Sequence, residues 1–384
     1  MRSLAQILNP YSVEEFLENH WESKGIYISS AGERKFHHLF SWNKLTYLLN
    51  YHEFKYPELR LALDEKVLDE SANCHIMKWV QDGATIIING VHKRVPEIAK
   101  FAAEFRNDIG YGVQVNAYCS WPGRQGFSSH YDTHEVFILQ IDGRKKWYVF
   151  PDTFKYPLQE QKSSDFTTPQ GEPYLTCTLE AGDVLYIPRG HWHYAIACDQ
   201  PSLHLTLGVH CKTGIDFLEW VVNQLKQQEE WRKTIPLRSE KGAANGYIDG
   251  LVQNLNYYLE DNNISQEYIN YLDSLGKPIE KYSLPYQAGL NIFQAGVETR
   301  FKTDRFQRVK ISELPDGSGY KIIVAEKEVS LRGVPYFLVE NLFNQESFTG
   351  NDVIGWLPDY DWELDIVPLL SRLVLEGILF VDVN

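Results

Sequence analysis

The sequence contains no Cys-x-x-Cys pair, and its five cysteines (Cys74, Cys119, Cys177, Cys198, Cys211) are scattered and odd in number. That spacing speaks against a disulfide framework and a structural zinc site, and a reducing cytoplasm is the expected setting. No apolar run approaches the roughly 20 residues that cross a bilayer, so no membrane association is expected. Met1 to Pro10 lacks a long apolar core after Arg2, which predicts no signal peptide. Internal repeats and low-complexity tracts are missing too. Positive charge is in deficit: 37 Lys and Arg stand against 51 Asp and Glu, a formal net charge of −14. Such a surface repels nucleic-acid phosphates and is compatible with a basic protein or peptide as partner.

What is present is ample core material. Of 384 residues 43% are hydrophobic and 14% aromatic, enough for a folded chain of two or three units. Ser12-Val13-Glu14-Glu15 predicts a helix start by capping box, with Tyr11 and Phe16 as hydrophobic staple and Phe16, Leu17, His20 and Trp21 on one face. A second helix is predicted after Pro96, where Ile98, Phe101, Ala102 and Phe105 repeat at helical spacing before Gly110 and Gly112.

From there to Cys211 short strands dominate. Val113 to Tyr118 alternates apolar and polar residues. Glu135 to Ile141 predicts a strand, Asp142-Gly143 a tight turn and Lys145 to Phe150 its hairpin partner. Gly182-Asp183 turns into Val184 to Ile187, Pro188-Arg189-Gly190 interrupts, and Leu203 to His210 alternates again. Many short strands at even spacing predict a double-sheet jelly roll or barrel. After Gly214 helical periodicity returns, first in Ile215, Leu218, Val221, Val222 and Leu225, then in Ile248, Leu251, Leu255, Tyr258 and Leu259, then from Glu267 to Leu275. These helices suit either a small bundle or an oligomer interface. The last part mixes strands (Gln307 to Ser312, Tyr320 to Glu328, Ile378 to Val381) with helices (Val334 to Phe343, Ile366 to Glu376), an order that suggests a winged-helix-like unit. Residues 300–384 hold nine basic and fourteen acidic side chains. That balance favours a structural or protein-binding role over DNA binding.

The chemistry concentrates in Ser129-His130-Tyr131-Asp132-Thr133-His134-Glu135. His130 and Asp132, two apart on an extended chain, project to one face. With one nitrogen ligand from a distant strand they complete a two-His, one-carboxylate facial triad, which leaves open positions for oxygen chemistry on Fe(II). Period-two spacing puts His134 on that face as well, farther along. The distant ligand comes from Gly182-Asp183 through Pro188-Arg189-Gly190-His191-Trp192-His193, where a strand, a turn and a new strand deliver both His191 and His193. Lys145 shares a face with Trp147 and Val149; turned into a barrel, its ammonium requires an anionic partner.

His-x-Asp, then Val136 to Gln140, Gly143-Arg144-Lys145-Lys146-Trp147 and Gly182-Asp183 to His193, resembles the JmjC-type cupin oxygenases, above all their ribosomal oxygenase branch. The similarity extends to Phe16–Trp21 and to Asn89-Gly90 through Pro96, and the order of parts is similar over most of the chain. The resemblance implies a mainly β fold with α: a double-stranded β-helix (cupin or jelly roll) with its N-terminal extension over 1–213, a helical dimerisation region over 214–290 giving a homodimer, and a winged-helix-like unit over 291–384. It implies Fe(II) held by His130, Asp132 and His193, the last because the distal ligand follows the turn glycine by three residues, with 2-oxoglutarate and O2 as co-substrates. It assigns Lys145 to the distal carboxylate of 2-oxoglutarate, Asn116 to the surroundings of metal and co-substrate, and His204 and Thr206 to the 2-oxoglutarate end. Tyr118, Thr133 and His134 border the substrate channel. Ser129 and Thr133 depart from the family pattern, in which proline and an acid or amide are usual. The implied activity is hydroxylation of a protein side chain, arginine or histidine of a large-subunit ribosomal protein. The alternatives are a tailoring hydroxylase of a peptide or small metabolite, histone demethylation by the same iron chemistry, and a metal-binding cupin without oxygenase activity.

Overall fold

The computed structural model describes residues 2–237, 242–260, 263–275, 282–304, 309–324 and 327–382. The chain divides into two units, Met1–Cys211 and Lys212–Asn384.

In the first unit helices α1 (Arg2–Leu8), α2 (Val13–Asn19), α3 (Trp42–Tyr51), α4 (Ile76–Gln81) and α5 (Pro96–Ile109) accompany eleven strands. The local signals explain the helix ends. Ser12 Oγ accepts the Glu15 N–H at 3.0 Å, and α5 starts on Pro96 and stops at Gly110, whose φ is 82°. Ile98, Phe101, Ala102 and Phe105 are all buried, as their spacing predicts. In α2, which ends at Asn19, only Phe16 is buried; Tyr11 and Leu17 are exposed. Trp21 then stacks on Tyr186 outside it.

The strands are β1 (Ile26–Ile28), β2 (Leu59–Leu63), β3 (Lys66–Val67), β4 (Thr85–Ile88), β5 (Gly112–Ser120), β6 (Glu135–Asp142), β7 (Lys145–Asp152), β8 (Leu175–Leu179), β9 (Val184–Ile187), β10 (His191–Ala197) and β11 (Ser202–His210). Eight form one sheet, in the order β1-β9-β6-β11-β5-β4-β2-β3, and three form another, β10-β7-β8. All pairings are antiparallel. Period-two alternation divides the large sheet's side chains. Phe137, Leu139, Tyr186 and Leu205 turn to a core shared with Phe16 and Phe105 of the helices, while Val136, Ile138, Leu185 and Ile187 meet Trp147, Val149 and Leu179 of the small sheet.

This topology corrects one expectation. β6 and β7 are not hairpin partners: β6 pairs with β9 and β11, and β7 with β8 and β10. Asp142-Gly143 is instead a corner at which the chain leaves one sheet for the other. Gln140 pins it, donating from Nε2 to the Asp142 carbonyl at 2.8 Å and to Ser202 Oγ at 2.9 Å. A turn dipeptide signals reversal, but long-range partners decide which ladder each strand joins.

The second unit starts with α6 (Gly214–Leu225), capped by a reciprocal Thr213–Asp216 box, then α7 (Glu229–Arg232), α8 (Ala243–Glu260) and α9 (Ile264–Ser274). Of the first predicted stripe Val221 and Leu225 are buried, with Trp220 and Ile264, whereas Ile215, Leu218 and Val222 are exposed. Beyond them lie β12 (Arg300–Thr303), β13 (Val309–Glu313), β14 (Gly319–Val324), β15 (Lys327–Arg332), α10 (Tyr336–Asn344), β16 (Ser347–Thr349), α11 (Gly350–Trp356), α12 (Val367–Leu375) and β17 (Leu379–Val381). They make two three-stranded sheets, β16-β12-β17 and β13-β14-β15. The stretch Tyr320 to Glu328, expected as one strand, runs from β14 into β15, which pair through Ile322 and Val329. Gln307, at the start of the preceding expected strand, lies outside the described residues.

Candidate metal centre

His130 and Asp132 precede β6, and His193 sits in β10 beyond a register shift that follows His191. The two segments are clamped by backbone. His130 N–H donates to the His193 carbonyl at 3.1 Å, His193 N–H donates to the His130 carbonyl at 2.7 Å, and Gly190 N–H donates to the Asp132 carbonyl at 2.9 Å. Gly190 has φ 84°, so a side chain there would be strained. Both imidazoles meet a carbonyl through Nδ1, His130 on Ser128 at 2.8 Å and His193 on His191 at 3.0 Å. A carbonyl only accepts, so Nδ1 carries the proton in each ring and Nε2 keeps its lone pair for a metal. His193 Nε2 lies 3.6 Å from Asp132 Oδ2, and one ligand atom from each of the three residues falls within 4.8 Å of the others. Burial drives the His193 imidazole down to about 4, so it is neutral at physiological pH. Burial pushes the Asp132 carboxyl up, but the imidazoles of His134, His130 and His193 outweigh it and hold it below the usual range. Two lone pairs and a carboxylate converging on one point fit a divalent first-row cation. His191 turns elsewhere: its Nδ1 meets Tyr174 Oη at 2.8 Å.

The cluster opens on a cavity of about 210 Å³, whose wall includes Lys145, Tyr118, His204 and Thr206. Lys145 is buried, donates to Ser120 Oγ at 2.9 Å and forms no ion pair among the described residues. Burial lowers its ammonium to about 8. Tyr118 and His204 stack with ring centroids 4.9 Å apart and planes 2° from parallel. Burial, and then the Asp132 charge, push the Tyr118 phenol up to about 12. Burial takes His204 well below its ordinary value, and its Nδ1 has no partner.

Three predicted site residues are not in the cavity wall. Asn116 spends its amide oxygen on the Gly90 N–H, at 2.9 Å, and on Gln114 Nε2, at 3.0 Å, and also bonds the Tyr118 side chain. It supports a wall residue instead of forming the wall. Thr133 and His134 lie at a bend before β6, where period-two alternation does not apply. His134 stacks on His210, centroids 4.8 Å apart, over Gly208, where a Cβ would come within 2.5 Å of the imidazole. Sequence reasoning missed Arg60, Thr85 and Phe127, all in the wall, which Trp147 joins from the face it shares with Lys145. Arg60 is the polar residue between Leu59 and Leu61 of β2, a signal legible only once that strand is recognised.

Two antiparallel sheets with a two-His, one-carboxylate cluster in the wall of a cavity fit a cupin-type jelly roll with a candidate metal centre. Residues 95–217 match the JmjC domain family. The chain is 29% identical over 252 residues to a bifunctional lysine-specific demethylase and histidyl-hydroxylase NO66 of Dictyostelium discoideum, a match covering 61% of this chain and 49% of that protein. It is 30% identical over 247 residues to ribosomal oxygenase 1 of Rattus norvegicus, covering 60% and 41%. The matches thus span about half the length of these relatives, or less. Among solved structures it resembles YcfD, a ribosomal oxygenase from Escherichia coli, in complex with cobalt and 2-oxoglutarate, at a TM-score of 0.62 and 16% identity over 97% of this chain and 99% of that one. The complex of YcfD with cobalt and succinic acid superposes equally well, at 0.62 and 19% identity over the same shares. At such identity the likeness is one of fold.

Proposed function

We propose that the protein is an iron(II)- and 2-oxoglutarate-dependent dioxygenase that hydroxylates a protein side chain, an arginine or histidine of a large-subunit ribosomal protein. The observation that carries this is the pairing of His130, Asp132 and His193 at one point with a buried, carboxylate-free Lys145 ammonium in the wall of the same cavity. A metal-binding cupin without oxygenase activity has no use for that cation; a dicarboxylate co-substrate does. The names of the relatives, ribosomal oxygenase and histidyl-hydroxylase, lend support.

Iron(II), 2-oxoglutarate and O2 together supply the oxidant that inserts oxygen into a C–H bond. The chain supplies geometry and protection. His130 and His193 present Nε2 because their Nδ1 protons are held by carbonyls, and Asp132 contributes the anionic ligand. Lys145, oriented by Ser120, would hold a carboxylate of the co-substrate, with His204 and Thr206 in the same wall. Tyr118, Phe127 and Trp147 wall the cavity with aromatic rings that keep water from the reacting carbon.

The excess of acidic side chains suits a basic ribosomal protein as target. The half-exposed Ile215, Leu218 and Val222 of α6 suit a homodimer contact. The winged-helix-like reading of the last part carries a structural or protein-binding role, without DNA binding. Five free thiols suit a reducing, cytoplasmic setting. Among the described residues no helix is long and apolar enough to cross a membrane.

The test is succinate release from 2-oxoglutarate with Fe(II), wild type against Asp132→Ala. Release by the wild type alone supports the oxygenase; metal binding without any release leaves a non-oxygenase cupin. A one-oxygen mass shift in a large-subunit ribosomal protein, present only in cells that carry the gene, then identifies the target. Its absence turns the search to peptides and small metabolites.

A further inference from the structure

We propose that the loop joining β7 to β8 sets the geometry and affinity of the metal centre through two positioning residues, Tyr131 and Trp192. This rests on the metal-centre reading above and is independent of the target.

Tyr131 lies between His130 and Asp132 in sequence, and Trp192 immediately before His193. Both are buried, 3% and 1% exposed, and neither belongs to the cavity wall. They meet edge to face, with ring centroids 5.1 Å apart and planes at 88°. The two ligand-bearing segments are thus joined by a ring contact away from the cavity as well as by their backbone bonds.

The polar atom of each ring is spent on the loop, residues 153–174. Tyr131 donates its hydroxyl to the Gln161 carbonyl at 2.9 Å. Trp192 Nε1 donates to Thr153 Oγ1 at 2.9 Å, and that hydroxyl donates on to the Thr167 carbonyl at 3.3 Å. Phe166 packs on the Tyr131 ring, centroids 6.0 Å apart, and on Phe154 at 4.6 Å. The same loop touches the turn before Trp192. The Tyr156 ring lies 5.4 Å from the Arg189 guanidinium, and Tyr174 Oη meets His191 Nδ1 at 2.8 Å. A Cβ at Gly190 would come within 3.0 Å of the Phe154 carbonyl oxygen and of Pro157. Tyr156 has φ 51°, a left-handed conformation that costs a non-glycine residue and persists where its surroundings fix it.

Connections of this length are uncommon unless they serve the site or the fold. Metal ligation tolerates errors of only about 0.2 Å in ligand distance. The backbone bonds fix the spacing of the two segments, but a twist of the chain at Tyr131 would carry His130 and Asp132 with it. Such a twist breaks the Gln161 bond and leaves a buried hydroxyl unpaired, and it opens a void against Phe166. The loop therefore holds the ligands by holding the residues beside them.

The test adds Co(II) to the metal-free full chain at pH 7.5 without oxygen, and reads affinity and the visible absorption band, which reports ligand number and angles. Tyr131→Leu and Phe166→Ala should each weaken Co(II) binding by about tenfold or more and shift the band. Tyr131→Phe, which loses only the bond to Gln161, should weaken it by about threefold. Leu48→Ala, a buried α3 position outside the cavity wall, costs stability in the core and should leave affinity and band unchanged. Wild-type affinity and band in Tyr131→Leu and Phe166→Ala, or an equal loss in Leu48→Ala, overturn the proposal. Should those variants fail to fold, amide hydrogen exchange of the wild type decides. Coupling is reciprocal, so Co(II) should slow exchange over residues 154–166 by about threefold or more, and equal rates with and without it overturn the proposal. A wild type that binds no Co(II) defeats the metal-centre reading and this one with it. Co(II) binding without succinate release under Fe(II) defeats only the oxygenase assignment.

Discussion

Arg189 turns both its backbone N–H and its guanidinium to the buried carboxylate of Glu135, with Arg189 N 3.4 Å from Oε2 and Nε 3.6 Å from Oε1. Tyr186 donates its hydroxyl to the same carboxylate, and Glu22 holds the far side of the guanidinium at 3.1 Å. Glu135 lies three residues after Asp132, and Arg189 one residue before Gly190. The pair therefore ties the segment carrying His130 and Asp132 to the turn that delivers His193.

Burial raises the Glu135 carboxyl to about 7 despite Arg189. An acid whose folded pKa exceeds its unfolded value holds a proton that the unfolded chain releases. Its contribution to stability is present below about pH 4.5 and is lost as pH rises to about 7, by about 3 kcal/mol in all. Glu135→Gln keeps the shape without the titration. Denaturant unfolding at pH 5 and pH 8 should show the variant gaining about 2 kcal/mol on the wild type at the higher pH. Parallel pH profiles would refute this.

Lys145 binds an anion only as the ammonium, which burial leaves with a pKa of about 8. Affinity for 2-oxoglutarate should therefore be flat below pH 7 and fall about tenfold by pH 9. Calorimetry with Mn(II) measures it. Lys145→Arg should bind with little pH dependence over that range, and Lys145→Ala should bind at least about tenfold more weakly at pH 7. Undiminished binding by the alanine variant would remove Lys145 from the co-substrate site.

The corner at Gly143 admits no side chain. Its φ is 71°, and a Cβ there would sit 1.9 Å from the Pro201 carbonyl oxygen. Gly143→Ala must move backbone on both sides, and a loss of about 3 kcal/mol or more is expected in thermal or urea unfolding. A variant within 1 kcal/mol of wild type (roughly the range of a mild surface change) would show that the corner is softer than its packing indicates.

On α6, Leu218 is 50% exposed between two equally apolar neighbours. If that stripe is the homodimer contact, Leu218→Glu places a charge in an apolar interface and should shift the mass measured by light scattering from two chains to one. A wild-type monomer, or a variant that remains a dimer, rules this face out.

Much of the site was legible in the sequence because its signals are local. His-x-Asp, the glycine before the distal ligand and the alternation of Leu203 to His210 depend only on neighbours along the chain. Arg60 and Thr85 were not legible, since β2 and β4 have weak local patterns and are defined by pairing with β5. Period-two alternation does not hold at the bend of Thr133 and His134, where His134 stacks on His210.

By itself, then, the amino-acid order determined the helix caps, the strand faces and the candidate ligands, for these are properties of side chains a few residues apart. Only the folded chain decided that β6 and β7 enter different sheets, that His191 turns away to Tyr174, and that Lys145 and Arg60 share one cavity. Those relations join segments tens of residues distant, and their outcome depends on which buried backbone and side-chain groups find partners across the whole barrel.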